Sequence, residues 1–316
     1  MIYLTDTEIE RLVEIDEAIP ALDSAFKALS DGRAAVQPRV RTEAGAVKLS
    51  TLGAVLPEQD VAGAKVYTTI KGRFSFAVVL FSTRDGSLLA TLDSNVLTRI
   101  RTAATTVLAV RALARPGARV ATVFGTGVQG RAHAFALAGH TEVRTIRIVG
   151  AEGGDPLVDE LNHRFAHRGV EALAMQGSDA LRGADIVVTA TRATEPLFDG
   201  NALAPGALVA AIGSSLPYTR ELDDTTVARA NRVVVELREQ AAQEAGDLVQ
   251  AAPGTFDWAD VVELGDVLGG RRTGRDRADD IVLYKAVGIG LQDIAVAQIA
   301  YRNHVARRAT TGLAVS

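Results

Sequence analysis

The sequence predicts an α/β protein: a Rossmann-type doubly wound parallel sheet joined to a second, α+β domain. Short unbroken apolar runs recur through the middle third, at Val120 to Phe124, Ile146 to Val149, Ile186 to Ala190, Leu208 to Ile212 and Val233 to Leu237. Helical stretches separate them at residues 128–138, 156–167 and 238–249. The first run passes directly into Gly125-Thr126-Gly127-Val128-Gln129-Gly130 and then into a helix. Apolar runs without polar alternation suit strands covered on both faces, as in a parallel sheet. Strand and helix taking turns is the sequence form of a doubly wound sheet.

The N-terminal third has a different rhythm. Thr5-Asp6-Thr7 supplies capping residues ahead of Ile9, Leu12 and Val13. Ile19, Leu22, Phe26 and Leu29 then repeat with a helical period over residues 15–31, which Asp31-Gly32 ends. Strand-like runs follow at Ala46 to Leu52, Gly63 to Ile70, Phe76 to Ser82 and Leu88 to Asp93, with Thr83-Arg84-Asp85-Gly86 as a hairpin turn. A helix from about Asn95 to Ala114 stops at Pro116-Gly117, where the domain boundary is placed. The tail from Asp280 to Val305 reads as one long helix that returns to the N-terminal part. Residues 1–115 with 295–316 are therefore expected to form one domain, and 116–294 the other.

Composition narrows the partners. With 34 Lys and Arg against 38 Asp and Glu, the formal charge is -4, so no basic excess points to nucleic acid. The absence of cysteine excludes disulfides, thiolate metal sites and cysteine nucleophiles. The N-terminus lacks a basic region followed by an apolar stretch, and no uncharged apolar run is long enough to span a bilayer. A cytoplasmic protein is expected. His133, His140, His163, His167 and His304 show no metal-ligand spacing, so no metal is expected. A Gly-x-Ser-x-Gly nucleophile elbow is also absent.

The glycine-rich loop carries a definite chemistry. Gly125 permits a tight turn out of the strand, Gly127 lets backbone approach a pyrophosphate, and Gly130 allows close helix–strand packing. The helix that follows offers unpaired N–H groups and a positive dipole end. Gly125, Thr126, Gly127, Val128 and Gln129 are thus candidate dinucleotide-binding residues. The ribose-gripping acid should stand about 20 residues on. The second strand ends at Val149-Gly150 and the nearest acid is Glu152, while Arg144 and Arg147 could instead meet a 2′-phosphate. NAD and NADP both remain open.

Binding a small keto or amino acid requires cations for its carboxylate. Arg39, Arg41, Lys48, Lys65, Lys71, Arg73, Arg99 and Arg101 are available in the first domain. Lys65 stands out because it lies within the apolar strand Ala64-Lys-Val-Tyr67. Arg101 stands out on a helix rich in small and apolar residues, Leu97-Thr-Arg-Ile-Arg-Thr-Ala-Ala104.

In these segments the chain resembles the ornithine cyclodeaminase and μ-crystallin family. The resemblance rests on Gly63-Ala-Lys65, Thr83-x-Asp-Gly-x-x-Leu-Ala90 with Asp93, Leu97 to Ala104, and Gly125-Thr-Gly-Val-Gln129. Ile212-Gly213, Pro217, Arg220-Glu-Leu-Asp223, Gln240 and Glu244-Ala-Gly246 extend it, so it spans Arg41 to the final helix. It implies a nicotinamide-binding fold with a substrate-binding and dimerisation domain, and hence a homodimer. It also implies that Arg41 (or Arg39), Lys65 and Arg101 surround a substrate carboxylate, with Lys65 and Arg101 catalytic. Thr102 and Ala103 would help bind cofactor phosphate, Thr191 would lie near the cofactor, and Ile212 and Gly213 would line the nicotinamide.

The chain departs from the family's cyclodeaminases at one telling place. They carry an aspartate after the glycine that matches Gly213, whereas this chain reads Gly213-Ser214-Ser215-Leu216-Pro217. A serine hydroxyl is a far weaker base than a carboxylate. This places the sequence on the μ-crystallin and ketimine-reductase side. Two further segments differ: Leu52-Gly-Ala54 stands where Met-Pro-Ala is usual, and the loop from Thr69 to Phe76 lacks the usual Asn. The expected activity is NAD(P)-dependent hydride transfer at the α-carbon of a small 2-imino or 2-keto acid. The alternatives are a cyclodeaminase with internally recycled NAD, in which Ser214 or Ser215 orders a water, and a catalytically inactive dinucleotide-binding protein.

Overall fold

The computed structural model describes residues 2–150 and 155–310. The chain forms two compact units: the residues up to Thr105 together with those from Ile289 onward, and Thr106–Gly288. The first divide therefore falls inside a continuous helix rather than at Pro116-Gly117, and the second falls just before the last helix rather than after residue 294. A helix interior carries no sequence mark of where its packing partners change.

In the first unit, β1 (Ile2–Leu4), α1 (Asp6–Leu12) and α2 (Ile15–Ser30) precede β2 (Ala35–Ala44), β3 (Val47–Leu56), β4 (Val61–Ile70), β5 (Arg73–Ser82), β6 (Leu88–Asp93) and α3 (Asn95–Leu113). Thr5 and Glu8 form a reciprocal capping box at the start of α1. The six strands lie in the order β1-β6-β5-β4-β3-β2. β1 runs parallel to β6 and every other pair is antiparallel. β2 carries no strand signal in the sequence because Gln37-Pro-Arg-Val-Arg-Thr-Glu43 has no apolar run. It is an edge strand, and its register shifts between Gln37 and Val40, around Pro38, which cannot donate to a ladder.

The last helix of the chain (Gly290–Thr310) belongs to this unit and is buried without a break from Gly290 to Ala297. Such a helix must be surrounded by protein. It settles on the sheet because glycines make room: a side chain at Gly290 would meet the Gly53 carbonyl, and one at Gly63 would meet Ile294. The opposite sheet face is apolar yet open. Val40, Val47, Leu49, Val55, Ile70 and Phe81 share it by register and are each between 41% and 53% exposed.

The second unit contains β7 (Val120–Phe124), α4 (Val128–His140), β8 (Thr145–Val149), α5 (Asp155–Phe165), β9 (Glu171–Ala174), β10 (Ile186–Thr189), β11 (Leu208–Ala211), α6 (Asp224–Arg229), β12 (Arg232–Val235), α7 (Arg238–Glu244), α8 (Gly246–Val249), β13 (Val262–Glu263), α9 (Leu264–Leu268) and β14 (Val282–Lys285). The final helix, Gly290–Thr310, is α10. The sheet order is β13-β12-β14-β11-β10-β7-β8-β9, with all pairs parallel. From β7 the chain winds outward to β8 and β9, then returns to β10 on the other side. That reversal is the point where doubly wound sheets bind ligands, at the strands' carboxyl ends.

Two expectations need correction. The stretch from Asp280 to Val305 is not one helix, since Val282–Lys285 is a strand between β11 and β12. An all-buried Val-Leu-Tyr-Lys run covered on both faces has no alternation to distinguish it from a helical segment. The helix expected over 238–249 is also divided at Ala245 into α7 and α8. Among the described residues, no helix is long and apolar enough to cross a membrane.

Candidate active site

The first unit gathers its buried cations around one carboxylate. Lys65 projects from β4 and is 2% exposed. Its ammonium lies 3.1 Å from Asp293 Oδ1 of α10, donates to the Thr98 hydroxyl of α3, and sits 4.4 Å from the centre of the Phe76 ring. Arg101 of α3, 8% exposed, brings Nε to 3.3 Å from the same Asp293 oxygen and donates through Nη1 to Gln292 Oε1 at 3.1 Å. Gln292 is itself fixed, accepting from the Ile289 amide at 2.9 Å and donating to Thr105 Oγ1 at 2.9 Å.

The electrostatics follow from that crowding. Burial pushes the Lys65 ammonium down to a pKa of about 8, Asp293 opposes the fall, and the positive charges of Arg101 and Arg39 add to it. Burial alone would raise Asp293, but Lys65 and Arg101 hold its carboxyl below the usual carboxylate value. Arg39 acts on both groups. Arg41, half-buried on β2, pairs with Ser50 of β3, which pairs with Tyr67 of β4. It therefore shares the Lys65 face, one row along. Arg39, whose charge reaches both Lys65 and Asp293, is the other candidate for the role expected of an early arginine. The Thr102 hydroxyl donates to the Thr98 carbonyl at 2.6 Å, and Ala103 is buried.

In the second unit the glycine loop stands at the carboxyl end of β7, beside the reversal in strand order. Gly125 has φ +113°, and a Cβ there would lie 2.5 Å from the Ala190 carbonyl. A Cβ on Gly130 would fall 1.9 Å from the Gly125 carbonyl, so the turn closes only without a side chain. Gly127, the N-cap of α4, is different: a Cβ there meets nothing within 4 Å. No side chain caps the helix, and Thr126, Gly127 and Val128 are exposed. Uncapped N–H groups at the start of a 13-residue helix suit a phosphate. The Gln129 side-chain oxygen is buried without a hydrogen-bond partner, an acceptor left over for a bound group. These residues fit a dinucleotide.

Thr191 and Gly213 follow β10 and β11 and are joined by a carboxylate that the sequence reading did not single out. Glu221, fully buried, accepts from Thr189 Oγ1 (2.8 Å), Thr191 N and Oγ1 (both 2.7 Å), Gly213 N (2.8 Å) and Ser214 N (3.3 Å). Asp247 accepts from the Glu221 and Leu222 amides at 2.6 and 2.9 Å and pairs with Lys285 at 2.8 Å. Lys285 also donates to the Ser214 carbonyl. Ile212 is tied to the adjacent strand by its amide, which donates to Thr189 O at 2.8 Å. The only sequence signal for Glu221 was its place in Arg220-Glu-Leu-Asp223.

Several further expectations resolve differently. Arg144 precedes β8, at the end of the strand opposite the glycine loop, and Arg147 donates to the Ala180 and Arg182 carbonyls at 3.1 and 2.7 Å. Arg144 therefore stands away from the glycine loop, and Arg147 has Nη1 committed to two carbonyls. Glu152 lies outside the described residues. Ser214 is buried, with its hydroxyl 2.8 Å from Thr219 Oγ1 and donating to the Thr219 carbonyl at 2.5 Å, so it braces a local turn. Ser215 is half-buried beside it.

A sequence model of the ornithine cyclodeaminase/mu-crystallin family matches residues 1–308. The chain belongs to this family. Among its family relatives, a Delta(1)-pyrroline-2-carboxylate reductase of Bacillus cereus is 30% identical, over 97% of this chain and 98% of the relative. The crystal structure of a probable ornithine cyclodeaminase from Bordetella pertussis Tohama I superposes with a TM-score of 0.93 at 53% identity, covering 98% of both chains. An archaeal alanine dehydrogenase dimer with bound NAD superposes with a TM-score of 0.89 at 27% identity, covering 98% of this chain and 97% of that one. The family assignment agrees with the motifs at Lys65, Arg101 and the glycine loop.

Proposed function

We propose that this member of the ornithine cyclodeaminase/mu-crystallin family is an NAD(P)-dependent reductase of small 2-imino acids. The observation that carries the reading is the buried cation pair Lys65 and Arg101, held on Asp293 in a unit whose companion carries a dinucleotide loop. A dihydronicotinamide held at the Gly125–Gly130 loop would supply the hydride that the imine carbon takes. Arg101, with Arg41 or Arg39, holds the substrate carboxylate and so fixes the α-carbon, a positioning effect worth up to roughly 7–11 kcal/mol in favourable cases. Lys65 donates a hydrogen bond to the imine nitrogen and, with its pKa of about 8, supplies the proton that nitrogen gains. Carbon takes the hydride, nitrogen takes the proton, and a 2-amino acid results.

Gly125, Thr126, Gly127, Val128 and Gln129 hold the pyrophosphate in this reading. Thr191, Ile212 and Gly213 line the nicotinamide side, and Thr102 and Ala103 belong to the cofactor-binding set. The bacterial reductase of a cyclic 2-imino acid and the NAD-bound alanine dehydrogenase favour the same chemistry and cofactor class. The Ser214 hydroxyl committed to Thr219 supports reduction over cyclodeamination, which needs a carboxylate at that place. The intact cation cluster supports an active enzyme over a binding protein. The open apolar sheet face supports a homodimer, in keeping with the dimeric dehydrogenase.

The test is nicotinamide absorbance with purified protein, NADH or NADPH, and a cyclic 2-imino acid. Stoichiometric oxidation of cofactor supports the reading and distinguishes the two cofactors. Release of proline and ammonia from ornithine without net oxidation would replace it with cyclodeamination.

A further inference from the structure

We infer that Asp293, in the first turn of a helix whose N-terminal half is buried, is a positioning residue for this reaction, holding the Lys65 ammonium and the Arg101 guanidinium together and maintaining the lysine's charge. The inference rests on the reductase reading and deepens it.

The geometry is specific. A carboxylate with no exposure, on a helical segment buried without a break from Gly290 to Ala297, is costly unless paired. Asp293 spends one oxygen on two cations, at 3.1 Å from Lys65 and 3.3 Å from Arg101, while Oδ2 is buried with no hydrogen-bond partner. An orphaned buried acceptor costs about 1–3 kcal/mol, so this arrangement is not the one that stability alone favours at Asp293. The neighbouring Gln292 holds the same guanidinium from Nη1. Two successive residues of α10 therefore fix Arg101 from two sides.

The groups facing Lys65 come from four elements: Asp293 from α10, Arg101 and Thr98 from α3, Arg39 from β2 and the Phe76 ring from β5. Asp293 is the only negative charge among them. Burial, Arg101 and Arg39 all favour the neutral amine, and Asp293 opposes them. Without it, Lys65 would lose its proton at lower pH, and two like charges would face each other with no counter-charge.

Asp293→Asn tests this on the full-length protein. Lysine labelled with 13C at Cε reports the titration directly, with Lys65→Met assigning the signal among Lys27, Lys48, Lys71 and Lys285. The expected result is a downward move of the Lys65 titration by at least about one pH unit, a tenfold change in its acid constant. The alkaline limb of imine reduction should move with it, and Asp293→Glu should return both towards wild type. An unmoved Lys65 titration in folded Asp293→Asn overturns the inference, because a purely structural role lowers activity without moving the limb. NADH binding by fluorescence certifies folding. Asp293→Ser, smaller and uncharged, serves with the same two outcomes if the Asn variant does not fold. A wild-type protein that turns over no imine but whose Lys65 titration moves in the variant defeats the reductase reading alone. Turnover with an unmoved titration defeats the Asp293 inference alone.

Discussion

Glu221 takes both the amide and the hydroxyl of Thr191 on one carboxylate oxygen, each at 2.7 Å. Its other oxygen takes Thr189, Gly213 and Ser214, so one buried anion ties the ends of neighbouring strands β10 and β11. Charge-assisted bonds of this kind are roughly twice as strong as neutral ones. The segments proposed to line the nicotinamide are thus held by a residue that need not touch it.

Glu221→Gln turns an acceptor-only group into one whose NH2 must face backbone amides. We expect a loss of about 2–4 kcal/mol in urea-induced unfolding at an unchanged slope. A loss under about 0.5 kcal/mol would show that the hub contributes little.

Gly130→Ala and Gly127→Ala separate architecture from binding. The first puts a methyl on the Gly125 carbonyl and should destabilise the protein as well as abolish dinucleotide binding. The second meets no protein atom within 4 Å at an ordinary φ of -70°, so the melting temperature should stay within a few degrees. NADH affinity, read by fluorescence titration, should nonetheless fall by at least about tenfold if, as proposed, backbone approaches the pyrophosphate there. Unchanged affinity in Gly127→Ala would remove the phosphate from this loop.

Lys65→Ala should abolish imine reduction while leaving NADH binding within about twofold. Arg101→Lys keeps the charge but loses the planar fork, and should lower kcat/KM by roughly 10- to 100-fold, equivalent to about 1.4–2.7 kcal/mol. Full activity in the Lys65 variant would end the lysine's assigned role.

The pH dependence has a definite sign. Lys65 has a folded pKa of about 8, below the ordinary 10.5, so reduction that needs its proton should decline about tenfold per pH unit above about pH 8. Stability behaves oppositely for this group. Between about pH 8 and 10.5 the unfolded chain binds more protons, so rising pH favours folding. Asp293, held below 3.8, contributes stability above that value and loses it as pH falls through its folded pKa. Rates and urea midpoints across pH check each statement; a rate that is flat to pH 10 would contradict the first.

Leu49→Lys on the open sheet face should convert a dimer into a folded monomer, as read by analytical ultracentrifugation and circular dichroism. Leu49 is 44% exposed among other apolar side chains, and burying a lysine charge there opposes association. A variant that remains dimeric would move the interface elsewhere.

What was legible in the sequence was local. Val120 to Phe124 running into Gly125-x-Gly127-x-x-Gly130 required no tertiary information, because turn geometry and helix-start chemistry are properties of consecutive residues. Lys65 and Arg101 were also visible, as charges in apolar segments that needed a partner. Their partner was not. Asp293 lies 228 residues from Lys65 in the chain and, within Leu291-Gln-Asp-Ile294, looks like any acid in a first helical turn.

The same limit explains strands that the sequence did not reveal, β2 and β14 among them. β14 is a short apolar run closed by Lys285, and β2 scatters Val36 and Val40 among Gln37, Arg39, Arg41, Thr42 and Glu43, so neither gives a clear strand pattern, and only pairing with a neighbour made each a strand. Arg144 and Arg147 looked available until the fold put one at the far end of its strand and bonded the other to carbonyls. By itself the sequence determined the fold class, the glycine-rich strand-to-helix turn and the buried cations, since these depend on backbone angles and on the cost of burying charge. Tertiary structure alone decided which carboxylate answers those cations and how Glu221 joins two strand ends, because Coulomb attraction and hydrogen bonding act over a few ångströms of space regardless of separation along the chain.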